Sequence, residues 1–285
     1  MIGLVRANDI APGTFLTPPQ YKQVYRETRF NTEMGSAATQ IAASIRGRRD
    51  TWTVADMHTL LRSVADTRAS LGGKAGLFYG YPVPTRPDEV EAPHRAEATR
   101  IPPDQRPAWS ARVFRLWGML RDFLAIQSQI DRTKVSGTSH RAIMTVDEPP
   151  GAWCHLDIGP ERLALSVLVR DAGAFVLAHP SYERMARIRD VGYDLLLRAL
   201  DSDPLDLDTM ARSYQLLIHA TPWFNGTAAI IETFFDAIVR AHGWAFPPKT
   251  SEPYFDAVFH TSVYTWRDLI SNFDGTPKPL VLQVL

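Results

Sequence analysis

The spacing of apolar residues predicts a mostly helical chain. The clearest helix covers residues 53 to 71, where Thr53 can cap the first turn and apolar residues recur every three or four positions. The apolar residues on this face are Val54, Met57, Leu60, Leu61, Val64 and Ala65. Two shorter stretches with the same periodicity, residues 19 to 29 and 33 to 46, predict two further helices before it.

More helices are predicted in the second half of the chain. They cover residues 108–131, 182–201, 209–220, 227–243 and 254–272. The helix at 108–131 carries a broad apolar stripe that is typical of a core helix. Ser181 can cap the second of these helices, and either Asp206 or Asp208 can cap the third.

Residues 140 to 180 have a different pattern. Short segments rich in β-branched and apolar residues alternate with turn residues, which predicts hairpins. The segment Asp171-Ala172-Gly173 is the strongest candidate for a tight turn. The predicted fold class is therefore mainly α, with a helical core and a small antiparallel β-hairpin region.

A proline-rich stretch suggests how the chain is organised. Residues 76–107 contain too many prolines for regular structure and are long for a connection within one domain. We expect an N-terminal helical region at 1–75, this Pro-rich connection, a helical core at 108–248, and a C-terminal helix and tail at 249–285 that pack on the core.

Composition narrows the classes of partner. The chain of 285 residues carries 31 basic and 31 acidic residues, so no net charge attracts it to nucleic acid, and we expect no nucleic-acid partner. No apolar run approaches the ~20 residues of a membrane span, and the start lacks the apolar core of a secretion signal. We therefore expect no membrane span and a protein that is cytoplasmic, or exported as an effector without a classical signal peptide. Cys154 is the only cysteine, which excludes an internal disulfide and a thiolate zinc site.

The sequence IHATPWFNGTAAIIE, residues 218 to 232, joins two predicted helices and has the chemistry of an anion site. The first backbone N–H groups of a helix have no partners within it, and the helix dipole favours an anion there. Gly226 removes a Cβ at the point of closest approach, and Thr227 offers a hydroxyl. His219 lies upstream and could accept a proton from an attacking hydroxyl.

Each of these features has a structural alternative. His219 ends an apolar helix and could simply cover the core, and the aromatic residues of the loop could plug it. The spacing Asp-x-Asp occurs at Asp201/Asp203 and Asp206/Asp208, as in some metal-dependent glycosyltransferases, but aspartates at helix ends more often act as caps. We predict no metal ligands among the side chains.

The segment SDPLDLDTMARSYQLLIHATPWFNGTAAIIETFFDAIVRAHGWAFPP resembles the Fic/Doc/AvrB (Fido) superfamily. The core of that superfamily has a helix, a loop of the form H-P-F-x-[DE]-G-N-G-R, and a second helix that ends near an apolar-Gly-aromatic-Pro-Pro stretch. The upstream segment AFVLAHPSYERMARIRDVGYDLLLRALDSDPLD resembles the hairpin, proline and first helix that precede the loop. The resemblance covers roughly residues 140 to 248 and implies that the 108–248 core is Fic-like.

The signature itself is eroded in this chain. The family's acid, first glycine, asparagine, second glycine and arginine fall on Asn225, Gly226, Thr227, Ala228 and Ala229. The family's histidine falls on Thr221, unless two extra residues allow His219 to take its place. We expect His219 to be the base, because a threonine hydroxyl has no pKa near neutrality.

These departures change what the resemblance implies. In the family the histidine activates a target hydroxyl, the acid holds Mg²⁺ and the arginine binds the distal phosphates. Asn225 is a poorer magnesium ligand than a carboxylate, and Ala229 supplies no charge, so a role for magnesium is open and ATP-dependent AMP transfer is disfavoured. The AvrB branch lacks the signature yet is associated with sugar transfer.

The resemblance therefore implies a diverged transferase that moves part of a nucleotide or nucleotide-sugar donor onto a hydroxyl acceptor. The acceptor would be a protein or a small molecule. Asn225, Gly226, Thr227 and Ala228 would hold the donor. The alternative is a catalytically silent Fic-like module for binding or interaction.

Overall fold

The protein is described by a computed structural model. The residues that it describes are 3–16, 24–48, 52–71, 102–108, 144–145, 154–165, 167–171, 174–179, 182–220, 223, 226–249, 253–260 and 262–273. The predicted helix at 108–131 and most of the Pro-rich connection lie outside these ranges, so the predicted domain boundaries stay predictions.

Helices dominate the described part of the chain. They are α1 (Val24–Gly47), α2 (Val54–Leu71), α3 (Tyr182–Asp201), α4 (Leu207–His219), α5 (Thr227–Ala241), α6 (Pro253–Phe259) and α7 (Trp266–Ile270). The strands are β1 (Val5–Arg6), β2 (Met144–Thr145), β3 (Cys154–Ile158), β4 (Glu161–Leu165), β5 (Val167–Asp171), β6 (Ala174–His179) and β7 (Trp244–Ala245). The predicted mainly α fold with a small antiparallel hairpin region is confirmed. In the described ranges no helix combines the length and the apolar character needed to cross a bilayer.

The strands form three small sheets. β3 and β4 are an antiparallel hairpin, and β5 pairs antiparallel with β6 while β2 joins the other edge of β6 in parallel. The register places Asp171 opposite Ala174, which leaves two residues between the strands, as expected for a tight turn at this point. β1 pairs antiparallel with β7 and so brings the N-terminal segment against the residues that follow α5.

The central helix is α5. Thirteen of its fifteen residues are buried, so other elements cover it on nearly every side. α1 and α2 pack against it, and both contribute to the same apolar core as α3, α4, α6 and α7. The N-terminal helices therefore belong to the core that contains α5.

A second, smaller core lies under the β3–β4 hairpin. It contains Leu156, Leu163, Leu165, Ile188, Val191, Leu195, Leu216 and Ala220. These residues come from the hairpin, from α3 and from the C-terminal end of α4. The hairpin is thereby fixed beside the end of α4, close in the fold to the predicted site.

Local capping explains where two of the helices begin. Thr53 Oγ1 accepts the N–H of Asp56 at 3.2 Å, and Asp56 accepts the N–H of Thr53 at 3.0 Å, which confirms the predicted start of α2. At α4 the cap is Asp206, whose Oδ1 accepts the N–H of Thr209 at 3.0 Å. The hydroxyl group and the N–H of Thr209 both donate to Asp206, and these two hydrogen bonds hold the pKa of its carboxyl group below the usual value.

Two predicted helix boundaries were wrong. The chain does not break between residues 29 and 33, because α1 runs without interruption from Val24 to Gly47. Phe30 packs against the main core at this point, which favours continuing the helix over a turn.

The predicted last helix, residues 254–272, is instead two helices, α6 and α7. Thr265 is extended and forms a capping box with Asp268, so a new helix begins at Trp266. The side chain of Gln215 also holds the connection: its Nε2 donates to the carbonyl oxygens of His260 and Ser262, each at 2.9 Å, and its Oε1 accepts the N–H of Tyr264 at 3.1 Å.

Candidate functional site

The predicted site lies at the junction of α4 and α5. α4 ends at His219, and the N–H of Ala220 donates to the carbonyl oxygen of Leu216 at 3.0 Å. Trp223 in the connection is buried, with 3% of its surface exposed. Thr221, Pro222, Phe224 and Asn225 lie outside the described residues, so the predicted role of Asn225 stays a prediction.

Gly226 is the N-cap of α5 and has a left-handed backbone, with φ of 89°. A residue with a Cβ is strained in this conformation, which explains a glycine at this position. Gly226 has no side chain that could cap the helix, and no acidic residue occurs in the first turn of α5. The start of α5 thus has the positive end of a helix dipole, and its own first turn supplies no carboxylate to neutralise it.

The residues that follow Gly226 are only partly accessible. Thr227 is 6% exposed and Ala228 is half-buried. The described residues of the first turn therefore offer an anion mainly their backbone N–H groups. Ala229, which takes the place of the family's arginine in the resemblance, packs against the main core.

His219 lies in the last turn of α4 and is 1% exposed. His219 stands two residues before the position of the family's histidine, and its ring is not exposed to solvent there. An acceptor hydroxyl can reach the ring only after the side chains that cover it move. Burial of this kind is expected both for a core histidine and for a base that is shielded from solvent.

The aspartates with metal-like spacing have structural roles where their partners are described. Asp206 caps α4, and Asp208 Oδ1 accepts the N–H of Trp266 at 2.8 Å, which ties α4 to the start of α7. Among the residues that the structure describes, no group of three or more His, Cys, Asp and Glu side chains could hold a metal ion.

Two buried ion pairs along α5 were missed from the sequence. Glu232 Oε2 lies 3.1 Å from Lys249 Nζ, and Asp236 Oδ2 lies 2.6 Å from Arg240 Nε. All four side chains are almost completely buried. The sequence contained a signal for both pairs. Glu232 and Asp236 lie inside a helix that is apolar on every side, and a buried carboxylate must have a partner.

Burial raises the pKa of Asp236 to about 6, although Arg240 and the N–H of Phe246 act in the opposite direction. The carboxyl group is therefore ionised above pH 7 and forms a charged pair with Arg240 there. This pair lies at the C-terminal end of α5, far from Gly226.

Comparison with known proteins adds no identification: no protein-family model, curated protein or solved structure matches the chain.

Proposed function

We propose that the chain is a diverged Fic-like transferase that binds the anionic part of a nucleotide or nucleotide-sugar donor at the start of α5. The observation that carries the proposal is the left-handed Gly226 at the start of a helix whose first turn has no acidic residue. His219 ends the preceding helix and is the only histidine in the sequence from residue 180 to residue 241. The proposal is supported further by the family resemblance of residues 140 to 248.

The donor would be bound mainly by backbone groups. The N–H groups of the first turn, at Thr227 and Ala228, would donate to phosphate oxygens. Asn225 would add an amide side chain in place of the family's acid. A neutral amide and a first turn without carboxylates do not fit a magnesium ion well, so the mechanism has no step through magnesium.

The transfer step needs a base, which is the role of His219. The imidazole takes the proton of the acceptor hydroxyl as the acceptor oxygen attacks. With a nucleotide donor the new bond forms to the α-phosphorus and pyrophosphate leaves. With a nucleotide-sugar the new bond forms to the anomeric carbon and a nucleoside diphosphate leaves. Because His219 is 1% exposed, acceptor binding has to be coupled to opening of the side chains over the ring.

A second candidate function is a catalytically silent module that binds a ligand or a partner. The burial of His219 and the packing of Ala229 into the core favour this function. Only the transferase needs an acceptor, which would be a protein hydroxyl or a small molecule. The two functions differ in whether a chemical change follows binding.

Ligand binding is tested by calorimetric titration of the whole chain with ATP, a UDP-sugar and a dTDP-sugar. The informative pair of variants is Gly226→Asp and Gly226→Asn. Asparagine tolerates the left-handed conformation and is nearly the same shape as aspartate, but it adds no negative charge. Binding that is lost in Gly226→Asp and retained in Gly226→Asn supports the site, whereas equal affinities in the two variants contradict it.

Catalysis is tested by intact-mass analysis of acceptors incubated with labelled donors and either the wild type or His219→Asn. Asparagine can keep a hydrogen bond of the buried ring but cannot take a proton at neutral pH. A thermal melt establishes that the variant is folded. Labelling by the wild type and none by the folded variant supports the transferase, whereas donor binding without labelling by either protein supports the silent module.

A further inference from the structure

An open groove of about 610 Å³ lies at the opposite end of α5 from Gly226. It is lined by β1 and the 3₁₀ helix after it (Ala7–Asp9), by the C-terminal half of α1 and by the end of α5. Its volume is within the range of about 300–1,000 Å³ that is typical of small-molecule sites. Arg240 follows Thr227 by thirteen positions on α5, which is about 20 Å along the helix, so this groove and the α4–α5 junction are different places.

Three arginines from three elements line the groove: Arg6, Arg46 and Arg240. Arg240 is 6% exposed. Its Nε donates to Asp236, and its Nη1 donates to the carbonyl oxygens of Ala7 at 3.3 Å and Ile10 at 3.5 Å. Its Nη2 is buried and has no hydrogen-bond partner within the described residues. A buried guanidinium nitrogen without an acceptor is unfavourable, and an oxygen atom bound in the groove could supply one.

Arg6 and Arg46 are exposed and have no carboxylate partner in the described part of the chain. The guanidinium of Arg6 lies over the ring of Trp244, 4.2 Å from its centroid. Such stacking uses the face of the guanidinium group and leaves its in-plane N–H groups for a ligand. Arg46 makes one hydrogen bond, from Nε to the carbonyl oxygen of Ala42 at 3.4 Å.

The charges of the groove favour an anion. Asp236 balances Arg240, and Asp9 on the groove wall contributes one more negative charge. Among the described residues, these three guanidinium groups and two carboxylates leave one net positive charge. Planar guanidinium groups bind phosphate and carboxylate oxygens in pairs, and the neutral side chain of Asn8 adds a further donor.

We propose that this groove binds a small ligand through its phosphate or carboxylate group, with Arg6 and Arg46 as the exposed contacts and Arg240 as the buried one. The site is independent of the proposed transferase function. It adds an anion site at the end of α5 where β1 and β7 join the N-terminal segment to the residues after that helix.

The test is calorimetric titration of the full chain at low ionic strength with inorganic phosphate, AMP, succinate and adenosine. The variants are Arg6→Gln and Arg46→Gln, which remove exposed charges without disturbing the core. The control is Arg62→Gln, which removes the same charge from α2, where Arg62 pairs with Asp66 outside the groove. Gly226→Asp is titrated in parallel to separate this site from the α4–α5 junction.

If the groove takes a phosphate group, we expect inorganic phosphate and AMP to bind; if it takes a carboxylate group, we expect succinate to bind. Adenosine has neither group and should not bind. Arg6→Gln and Arg46→Gln should each weaken Kd by about tenfold, while Arg62→Gln and Gly226→Asp leave it unchanged. Succinate binding without phosphate binding identifies the ligand group as a carboxylate. Binding of none of the anions, or equal Kd values in Arg6→Gln, Arg46→Gln and Arg62→Gln, overturns the proposal. Loss of binding only in Gly226→Asp assigns the anion to the α4–α5 junction and also overturns it.

Discussion

Asp236 and Arg240 lie one turn apart on α5 and form a buried ion pair, with Oδ2 2.6 Å from Nε. The other carboxylate oxygen accepts the N–H of Phe246 at 3.3 Å, and the guanidinium group donates to the carbonyl oxygens of Ala7 and Ile10. The pair thus connects the central helix both to the segment after it and to the N-terminal segment.

Replacing Asp236 with asparagine should leave the Arg240 cation buried without a counter-charge. At pH 8, where the Asp236 carboxyl group is ionised, we expect Asp236→Asn to lower the free energy of unfolding by about 3 kcal/mol. Urea unfolding followed by circular dichroism measures the change. The control is Asp66→Asn, which removes the exposed partner of Arg62 and should cost less than about 1 kcal/mol. Similar small losses in both variants would show that the buried pair is not important for stability.

The side chain of Gln215 links α4 to the connection between α6 and α7 through hydrogen bonds, and its loss should destabilise the protein. Gln215→Leu removes three hydrogen bonds from the backbone groups of His260, Ser262 and Tyr264, and we expect the free energy of unfolding to fall by about 3 kcal/mol. The matched change at an exposed position is Gln40→Leu on α1. Chemical unfolding of both variants measures the difference, and equal stabilities would contradict a bracing role for Gln215.

The start of α7 should depend on the hydroxyl group of Thr265. Thr265→Ala removes the acceptor of the Asp268 N–H, and we expect it to lower the free energy of unfolding by about 1 kcal/mol. Thr265→Ser keeps the hydroxyl and should retain most of the stability. If serine and alanine destabilise the protein equally, the methyl group matters and the capping box does not.

The cap at Asp206 should make stability depend on pH in acid. The pKa of Asp206 is lower in the folded protein than in the unfolded chain, since Thr209 donates two hydrogen bonds to the carboxylate. The charged form is favoured by folding, so its contribution is present above about pH 4 and is lost as the pH falls through the folded pKa.

Asp206→Asn provides the comparison, because asparagine also caps helices and does not titrate. The difference in free energy of unfolding between wild type and Asp206→Asn should be constant from pH 7 to pH 5 and shrink below about pH 4. Denaturant titrations at half-unit pH intervals measure it. Parallel curves for the two proteins down to pH 3 would rule out the carboxylate as the source.

Much of the fold could be predicted from the sequence because it depends on residues close together in the chain. The apolar face of α2 and its Thr53 cap involve neighbours within one or two turns. The same is true of the hairpin turn after Asp171 and of the glycine at the start of α5, where a left-handed backbone excludes most other residues. For this reason the sequence alone was sufficient to predict a glycine immediately before the first turn of α5.

The tertiary structure decided what the polar residues do. Asp206 and Asp208 were equal candidates for the cap of α4, and in the structure Asp206 is the cap while Asp208 accepts the N–H of Trp266, 58 residues away. The predicted last helix is divided, and Gln215 on α4 forms hydrogen bonds with the backbone of the connection between its two parts. Tertiary packing also decided three other features: the burial of His219, the ion pair Asp236–Arg240, and the groove lined by Arg6 and Arg46. Desolvation and long-range hydrogen bonds act between residues that are distant in sequence, and no local pattern records which of them meet.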